Sequence, residues 1–220
     1  MEASSGPTQE TAEQRAGAAG LVFVLLFVIA LVIVPNPPKS GAPAREIQHH
    51  FAEHAGAIRV STFFGVVSVV FFIALLAGLR ARVDRFGADV FAGIAFGAGL
   101  VLAGLAMVAA VVSLTLAAEA PDLGLDTVRA TYGLTSFYPA VATGVVFALA
   151  AAVGVGALRN HALPAWVGYV SIAYAAYEVI ESFTVLATSG AFEPGGVVNS
   201  FGTVLFALWA ACVSVALLRT

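Results

Sequence analysis

Residues 165–188, AWVGYVSIAYAAYEVIESFTVLAT, form the stretch on which the interpretation of the whole chain depends. It is long and apolar enough to cross a bilayer, which requires about 20 residues. It nevertheless contains the carboxyl groups of Glu178 and Glu181. A bare carboxylate near the membrane centre costs on the order of 2.5 kcal/mol or more, so such a residue normally faces protein or water. We therefore interpret this segment as a membrane span that carries the candidate site.

The composition is that of a membrane protein. Of 220 residues, 60% are hydrophobic and 10% are charged, and the mean hydropathy is +0.96. A soluble domain carries about 25% charged residues. The formal net charge of −3 gives no reason to expect a nucleic-acid partner. Because Cys212 is the single cysteine, an intramolecular disulfide is excluded.

The hydrophobic pattern predicts six membrane spans. The expected spans are residues 16–34, 60–79, 90–117, 134–158, 165–188 and 197–218. The expected fold is therefore an all-α polytopic membrane helix bundle of about six transmembrane helices plus one amphipathic surface helix. Residues 118–133 are expected to be an acidic connection. In the third span, Gly93, Gly97 and Gly104 share one face, and small residues at this spacing allow close helix packing.

The polar N-terminal residues 1–15 have no apolar period, so we expect a disordered cytoplasmic tail. Residues 16–220 are expected to form a single transmembrane helical domain. A signal peptide is the competing interpretation of the first apolar run. The segment before it is acidic rather than basic, and no A-x-A cleavage site follows closely, so a retained span is favoured.

The distribution of Arg and Lys predicts the orientation. The tails and even-numbered loops carry Arg15, Arg80, Arg82, Arg85, Arg159 and Arg219; the odd-numbered connections carry Lys39, Arg45, Arg59 and Arg129. This bias predicts that both termini are cytoplasmic.

Residues 44–59, AREIQHHFAEHAGAIR, have the apolar period of an amphipathic helix at the membrane surface. Glu46, His50 and His54 follow at i, i+4 and i+8, and His side chains on successive turns can bind one metal ion. This spacing also occurs on an ordinary solvated helix face, which is the plainer interpretation. We keep Glu46, His50 and His54 as candidate metal ligands.

Helical periodicity places Ser171, Tyr174, Glu178 and Glu181 on one side of the fifth span, with Tyr177 beside them. We call the first four residues the polar face. One hypothesis is a polar cavity in which the carboxylates bind a cation, a proton or a ligand amine. A second is a structural network with neighbouring helices, for which Tyr132, Ser136 and Asn199 are candidate partners. A third is a span that ends early.

Several segments together resemble a known group of proteins. They are EIQHHFAEHAGAIR, FIALLAGLRARV, TYGL and the run L-R-x-x-x-L-P-x-W-x-G at residues 158–168. The chain resembles multi-pass membrane proteins of high-GC Gram-positive bacteria that are grouped as domains of unknown function. The resemblance implies a multi-helix architecture in a bacterial cell membrane, and it implies no reaction, ligand or catalytic residue.

Two function classes follow. The first is a non-catalytic transporter, binding component or partner subunit, with an outer-leaflet cavity around Glu178 and Glu181. The alternative is an intramembrane enzyme acting on a lipid or isoprenoid, with one of these residues as general acid. No phosphate-binding loop, nucleophile elbow or C-x-x-C pair is found, so no cofactor is predicted. The expected partners are the lipid bilayer, a small cation or lipid ligand, and another membrane protein.

Overall fold

A computed structural model describes residues 7–35, 37–187 and 190–219. The described residues contain helices and no strand, which confirms the all-α expectation. The helices are α1 (Pro7–Ile33), α2 (Ala44–Glu53), α3 (Ala55–Arg85), α4 (Asp89–Glu119), α5 (Leu125–Ser136), α6 (Tyr138–Asn160), α7 (Ala165–Glu181) and α8 (Val197–Leu218). Two short 3-10 turns, Ser182–Val185 and Gly190–Phe192, lie between α7 and α8.

Five helical segments in the described part of the chain are long and apolar enough to cross a membrane. They are Thr11–Ile33, Ala55–Arg85, Asp89–Asp122, Leu125–Asn160 and Val197–Leu218. The fifth of the six expected spans differs, because α7 ends at Glu181 after 17 residues. Its length is about 25 Å at 1.5 Å per residue, which is shorter than a hydrocarbon core of about 30 Å.

The expectation that the fifth span continues as α-helix to Thr188 is therefore wrong. The chain tightens into the 3-10 turn Ser182–Val185 instead. The Ser182 hydroxyl donates to the Val179 carbonyl oxygen at 2.7 Å, and such local side-chain bonding competes with regular helix. Thr188 itself lies outside the described residues.

Six helices form a closed ring in the order α1, α3, α4, α6, α7 and α8, with α8 packing back against α1. The first turns of α1 and the last turns of α8 lie at one end of this ring, because Gly17 of α1 meets Ser214 and Leu218 of α8. We call this the terminal end. A Cβ atom at Gly17 would lie 2.7 Å from the Ser214 carbonyl oxygen, so glycine permits the close approach of α1 and α8 there.

The terminal half of the ring is filled by apolar side chains. Leu75, Leu79 and Val83 of α3 are each 1% exposed, and Leu149 and Val153 of α6 are fully buried. Interiors packed in this way leave few voids. The opposite half of the ring, toward α2, is not filled in the same way and contains the cavity described below.

The opposite end of the ring, which we call the α2 end, is covered by α2 and α5. Ile47 and Phe51 of α2 pack against Leu116, Val128 and Tyr132. The Gln48 amide nitrogen donates to the carbonyl oxygens of Ala120 and Leu123 at 2.7 Å and 3.2 Å. The predicted surface helix is present, but it ends at Glu53 rather than continuing to Arg59.

The segment expected to be an acidic connection is largely helical. Much of the 118–133 connection belongs to α5, which is separated from α6 only by Phe137. Pro139 stands in the first turn of α6, where proline is favoured because its missing N–H group is not needed. The predicted fourth span, residues 134–158, is therefore mostly α6, and only its first three residues belong to α5.

The expectation of a disordered tail is wrong for residues 7–15, which belong to α1. Glu13 is 2% exposed, and its carboxylate forms ion pairs with Arg82, at 3.0 Å, and with Arg85. Arg82 also donates from Nε to the Ala162 carbonyl oxygen at 2.8 Å. These contacts anchor the start of α1 to α3 and to the α6–α7 loop. Residues 1–6 of the expected tail lie outside the described residues.

Close packing through Gly93, Gly97 and Gly104 is not observed in the structure. These three glycines of α4 are exposed, and a Cβ atom at any of them would meet nothing within 4 Å. Gly99, on the other side of α4, instead contacts Leu76 of α3. The pattern was correctly recognised as a stripe of small residues, but it faces away from the bundle.

Candidate functional site

A cavity of about 440 Å³ lies inside the helix ring, toward the α2 end. Its volume is within the range of about 300–1,000 Å³ typical of small-molecule sites. Its walls are mainly apolar, and its aromatic lining residues are Phe23, Phe27, Phe72, Tyr138, Tyr174 and Phe206. Its hydroxyl-bearing lining residues are Ser61, Thr62, Ser68, Ser113, Thr143 and Thr203, and its acidic ones are Glu178 and Glu181.

The structure buries the whole polar face of α7. Ser171, Tyr174, Glu178 and Glu181 are 0%, 6%, 3% and 4% exposed. Tyr174, Glu178 and Glu181 line the cavity, while Ser171 lies deeper in the bundle. Tyr177 is half-buried and donates from its hydroxyl to the Val198 carbonyl oxygen of α8 at 2.7 Å. Four of the five candidate α7 residues therefore face the bundle interior, and Tyr177 binds the neighbouring helix.

Glu181 has one oxygen bound and one oxygen without a partner. The Asn199 side-chain amide donates to Oε1 at 2.8 Å, and Asn199 is oriented by the Gly195 N–H group, which donates to Asn199 Oδ1 at 2.9 Å. Oε2 is buried and has no hydrogen-bond partner among the residues that the structure describes. A Cβ atom at Gly202 of α8 would overlap Oε2, so glycine makes the room that this carboxyl group occupies.

Glu178 lies one turn before Glu181, at the cavity wall. The Tyr174 hydroxyl lies against its carboxyl group. Among the described residues that line the cavity there is no Lys, Arg or His. The two carboxyl groups therefore have no basic side chain of the protein as a neighbour inside the cavity.

Trp209 of α8 lies next to the cavity, on the side that faces the terminal end of the ring. The Trp209 indole N–H donates to the Ser171 hydroxyl at 2.9 Å. The Trp209 ring lies 6.0 Å from the Tyr174 ring and 6.0 Å from the Phe206 ring, centroid to centroid. Trp209 is thus in contact with two residues that line the cavity. It also provides a hydrogen-bond donor to Ser171, the most deeply buried residue of the polar face.

The α1–α2 linker is tied to two other elements at the α2 end. The Tyr132 hydroxyl donates to the Pro38 carbonyl oxygen, and Lys39 Nζ lies 3.4 Å from Glu193 Oε1. The Lys39 side chain is 80% exposed, so this ion pair contributes little to stability. Tyr132 and Ser136 were candidate partners of Glu178 and Glu181. Tyr132 donates instead to Pro38 of the α1–α2 linker, and Ser136 donates to the Tyr132 carbonyl oxygen of its own helix. Of the three candidates, Asn199 is the one that binds Glu181.

Glu46, His50 and His54, the candidate metal ligands, do not converge on one point. The His50 and His54 rings stack with centroids 4.7 Å apart, and His54 Nδ1 donates to the His50 carbonyl oxygen at 3.0 Å. Burial, and then the neighbouring His54, lower the pKa of His50. Glu46 is exposed. Within the described ranges, no group of three or more His, Cys, Asp or Glu side chains is placed to hold a metal ion, so the geometry does not support Glu46, His50 and His54 as ligands.

Sequence reasoning missed most of the cavity wall. Phe23, Phe72 and Phe206 lie in apolar runs where aromatic residues are ordinary, and periodicity within one helix cannot show which of them meet. Gly202 was also missed, although it stands three residues after Asn199, which was expected to be a partner of α7.

Comparisons of the chain with protein-family models, with curated proteins and with solved structures give no match.

Proposed function

We propose that the protein is a non-catalytic membrane protein that binds a small ligand inside its helix ring. It acts either as a transporter or as the ligand-binding component of one. The observation that carries this proposal is the position of Glu178 and Glu181 on one otherwise apolar cavity. Carboxyl groups inside a membrane bundle are costly, and they are usually retained where they bind a ligand or an ion.

A purely structural role accounts less well for the site. A buried polar network stabilises a bundle when each member has its partners, and an unsatisfied member costs free energy. Glu181 Oε2 is buried without a partner, and the carboxyl group of Glu178 lies at a cavity rather than against a packed helix. A network that served only to hold the bundle together would leave neither feature, so the site favours a role beyond packing.

The alternative enzyme interpretation is less favoured by the same lining. Acid catalysis by Glu178 or Glu181 on an isoprenoid diphosphate would need cationic groups to hold the phosphates. The described lining contains no Lys, Arg or His, and it contains no Cys. A binding role needs none of these groups.

We also propose a bacterial plasma membrane with both termini in the cytoplasm. The Arg-rich segments of the chain lie together at the terminal end of the ring, and positive charge is enriched on the cytoplasmic side of membrane proteins. The resemblance to membrane proteins of high-GC Gram-positive bacteria supports the same location. The cavity would then lie in the outer half of the membrane.

The test is whether a small membrane-soluble molecule reaches the carboxyl groups. Dicyclohexylcarbodiimide is uncharged and couples to protonated carboxylic acids, so membranes containing the protein are treated with it at mildly acidic pH. We expect peptide mass spectrometry to find the adduct on Glu178. Ala106→Phe, which places a ring in the cavity wall, should reduce labelling several-fold.

The matched control is Ala118→Phe, at an exposed position of the same helix, which should leave labelling unchanged. Absence of the adduct from both Glu178 and Glu181, or equal loss of labelling in the two phenylalanine variants, would contradict an open ligand cavity.

A further inference from the structure

We infer that the ligand is a hydrophobic organic cation, of the substituted ammonium class, with Glu178 as its counter-ion. This inference rests on the proposed function and specifies the chemistry of the bound molecule. Three features of the cavity carry it: its charge, its size and the aromatic residues in its wall.

The charge of the cavity selects against an anion. Glu178 and Glu181 are its acidic lining residues, and the described lining provides no basic side chain to offset them. An anionic ligand would meet the two acidic groups and no positive partner, while a neutral ligand offers no counter-charge and leaves the buried carboxyl groups to neutralise by protonation. A ligand with one positive charge supplies the missing counter-charge.

The size and lining of the cavity select against a divalent metal ion. Calcium takes 6–8 oxygen ligands, and magnesium demands an ordered octahedral shell. The described part of the chain holds no cluster of three or more acidic, His or Cys side chains suited to a metal ion. A volume of about 440 Å³ with mainly apolar walls suits a molecule that carries hydrocarbon groups.

Aromatic rings from three helices meet at the cavity wall. We call Phe23 of α1, Phe72 of α3 and Phe206 of α8 the aromatic cluster. The ring centroid of Phe23 lies 4.9 Å from that of Phe72 and 6.0 Å from that of Phe206, and the Phe72 and Phe206 centroids are 5.9 Å apart. The faces of aromatic rings attract alkylammonium groups, and aromatic cages recognise quaternary ammonium ligands. The aromatic cluster and the carboxyl groups line the same cavity, a combination suited to an organic cation.

The two carboxyl groups are not equivalent. Glu181 is bound by Asn199 through one oxygen, and its other oxygen is sealed beside Gly202. Glu178 has the Tyr174 hydroxyl as its neighbour, on its own helix, and lies at the cavity wall. Glu178 is therefore the carboxyl group that is available to the ligand, and Glu181 maintains the α7–α8 contact.

Trp209 provides an optical measurement of binding. The chain has 2 Trp residues, and Trp166 is 43% exposed at the start of α7, so Trp166→Phe leaves Trp209 as the single reporter beside the cavity. The protein is placed in nanodiscs of uncharged phosphatidylcholine. It is then titrated with benzyltrimethylammonium, with its neutral carbon isostere neopentylbenzene, and with the anion benzenesulfonate.

We expect benzyltrimethylammonium to change Trp209 emission saturably, with an affinity at least 10-fold higher than that of either comparison probe. Glu178→Gln, which keeps the side-chain shape, should raise the dissociation constant at least 10-fold. Phe72→Leu should also weaken binding and provides a second variant if Glu178→Gln fails to fold. Glu193→Gln, in the α7–α8 loop outside the cavity lining, should leave binding unchanged.

Equal binding of the neutral isostere would overturn the cation inference while leaving the ligand cavity in place. An affinity unchanged in Glu178→Gln would overturn the role of Glu178 as counter-ion. Absence of any saturable response to the cation would overturn the inference as well. In that case the carbodiimide experiment decides separately whether the cavity admits small molecules.

Discussion

Asn199 of α8 donates a hydrogen bond of 2.8 Å to Oε1 of Glu181 on α7. Glu181 is the last residue of α7, and Asn199 stands in the first turn of α8, so the bond joins the two helices on either side of the α7–α8 loop. Among the described residues Oε2 of the same carboxyl group has no partner, so this bond compensates for burial of the Glu181 carboxyl group.

Replacing Asn199 should therefore destabilise the protein. Asn199→Ala leaves both carboxyl oxygens of Glu181 buried without a donor, and an orphaned buried polar group costs about 1–3 kcal/mol. We expect a lower midpoint of thermal unfolding in detergent. Ser200→Ala, at an exposed neighbouring position, should have a much smaller effect.

Adding Glu181→Gln to Asn199→Ala tests whether the loss arises from their contact. Residues in direct contact show non-additive effects on the free energy of unfolding. A double variant whose loss equals the sum of the two single losses would contradict the contact.

Gly202 should tolerate no side chain while Glu181 is present. Gly202→Ala places a Cβ atom where Glu181 Oε2 lies, so the carboxyl group must move or α7 and α8 must separate. We expect a loss of about 1–3 kcal/mol, typical of overpacking a core, measured by thermal unfolding. Gly144→Ala on α6 is the control, because its added Cβ meets nothing within 4 Å. A neutral Gly202→Ala would show that Glu181 does not lie against α8.

The early part of α1 should contribute measurably to stability. Glu13→Gln removes the charge that pairs with Arg82 and Arg85 at the terminal end. Hydrogen bonds to charged groups contribute about 1.5–3 kcal/mol, so we expect a loss of that order and faster hydrogen exchange at residues 11–20. Gln14→Ala, at the exposed neighbouring position, should change neither quantity. Unchanged exchange in Glu13→Gln would show that these ion pairs do not hold α1 in place.

Features that depend on neighbouring residues in the sequence could be predicted, and contacts between distant parts of the chain could not. Long apolar runs identify membrane helices, and the period of Ser171, Tyr174, Glu178 and Glu181 identified one buried face. The buried position of Glu13 was missed because a polar segment without an apolar period resembles a disordered tail, and its Arg partners are about 70 residues away. A contact of that kind depends on helix order around the ring, which no local pattern reports.

The end of α7 was missed for a different reason. Residues 182–188 are mostly apolar or small, so the apolar run continues after the helix ends. The 3-10 turn depends on local bonding by Ser182 and on the chain reversing toward α8. The cavity itself depends on side chains of six helices, and their sequence positions show only that each is apolar or aromatic.

Cysteine labelling should place the two ends of the ring on opposite sides of the membrane. Cys212 is the single native cysteine, so Cys212→Ala provides the background. Ser40→Cys lies in the linker at the α2 end, and Asp84→Cys lies near the Arg-rich end of α3. With a membrane-impermeant maleimide added to intact cells, we expect Ser40→Cys to react and Asp84→Cys to react only after the membrane is opened.

The reason for this expectation is the enrichment of Arg near Asp84, because positive segments remain on the cytoplasmic side. This orientation places the carboxyl groups of the cavity nearer the outer surface, from which a cationic ligand would arrive. Reaction of Asp84→Cys in intact cells, with Ser40→Cys protected, would invert the topology. It would move the proposed ligand site to the cytoplasmic half while leaving its chemistry unchanged.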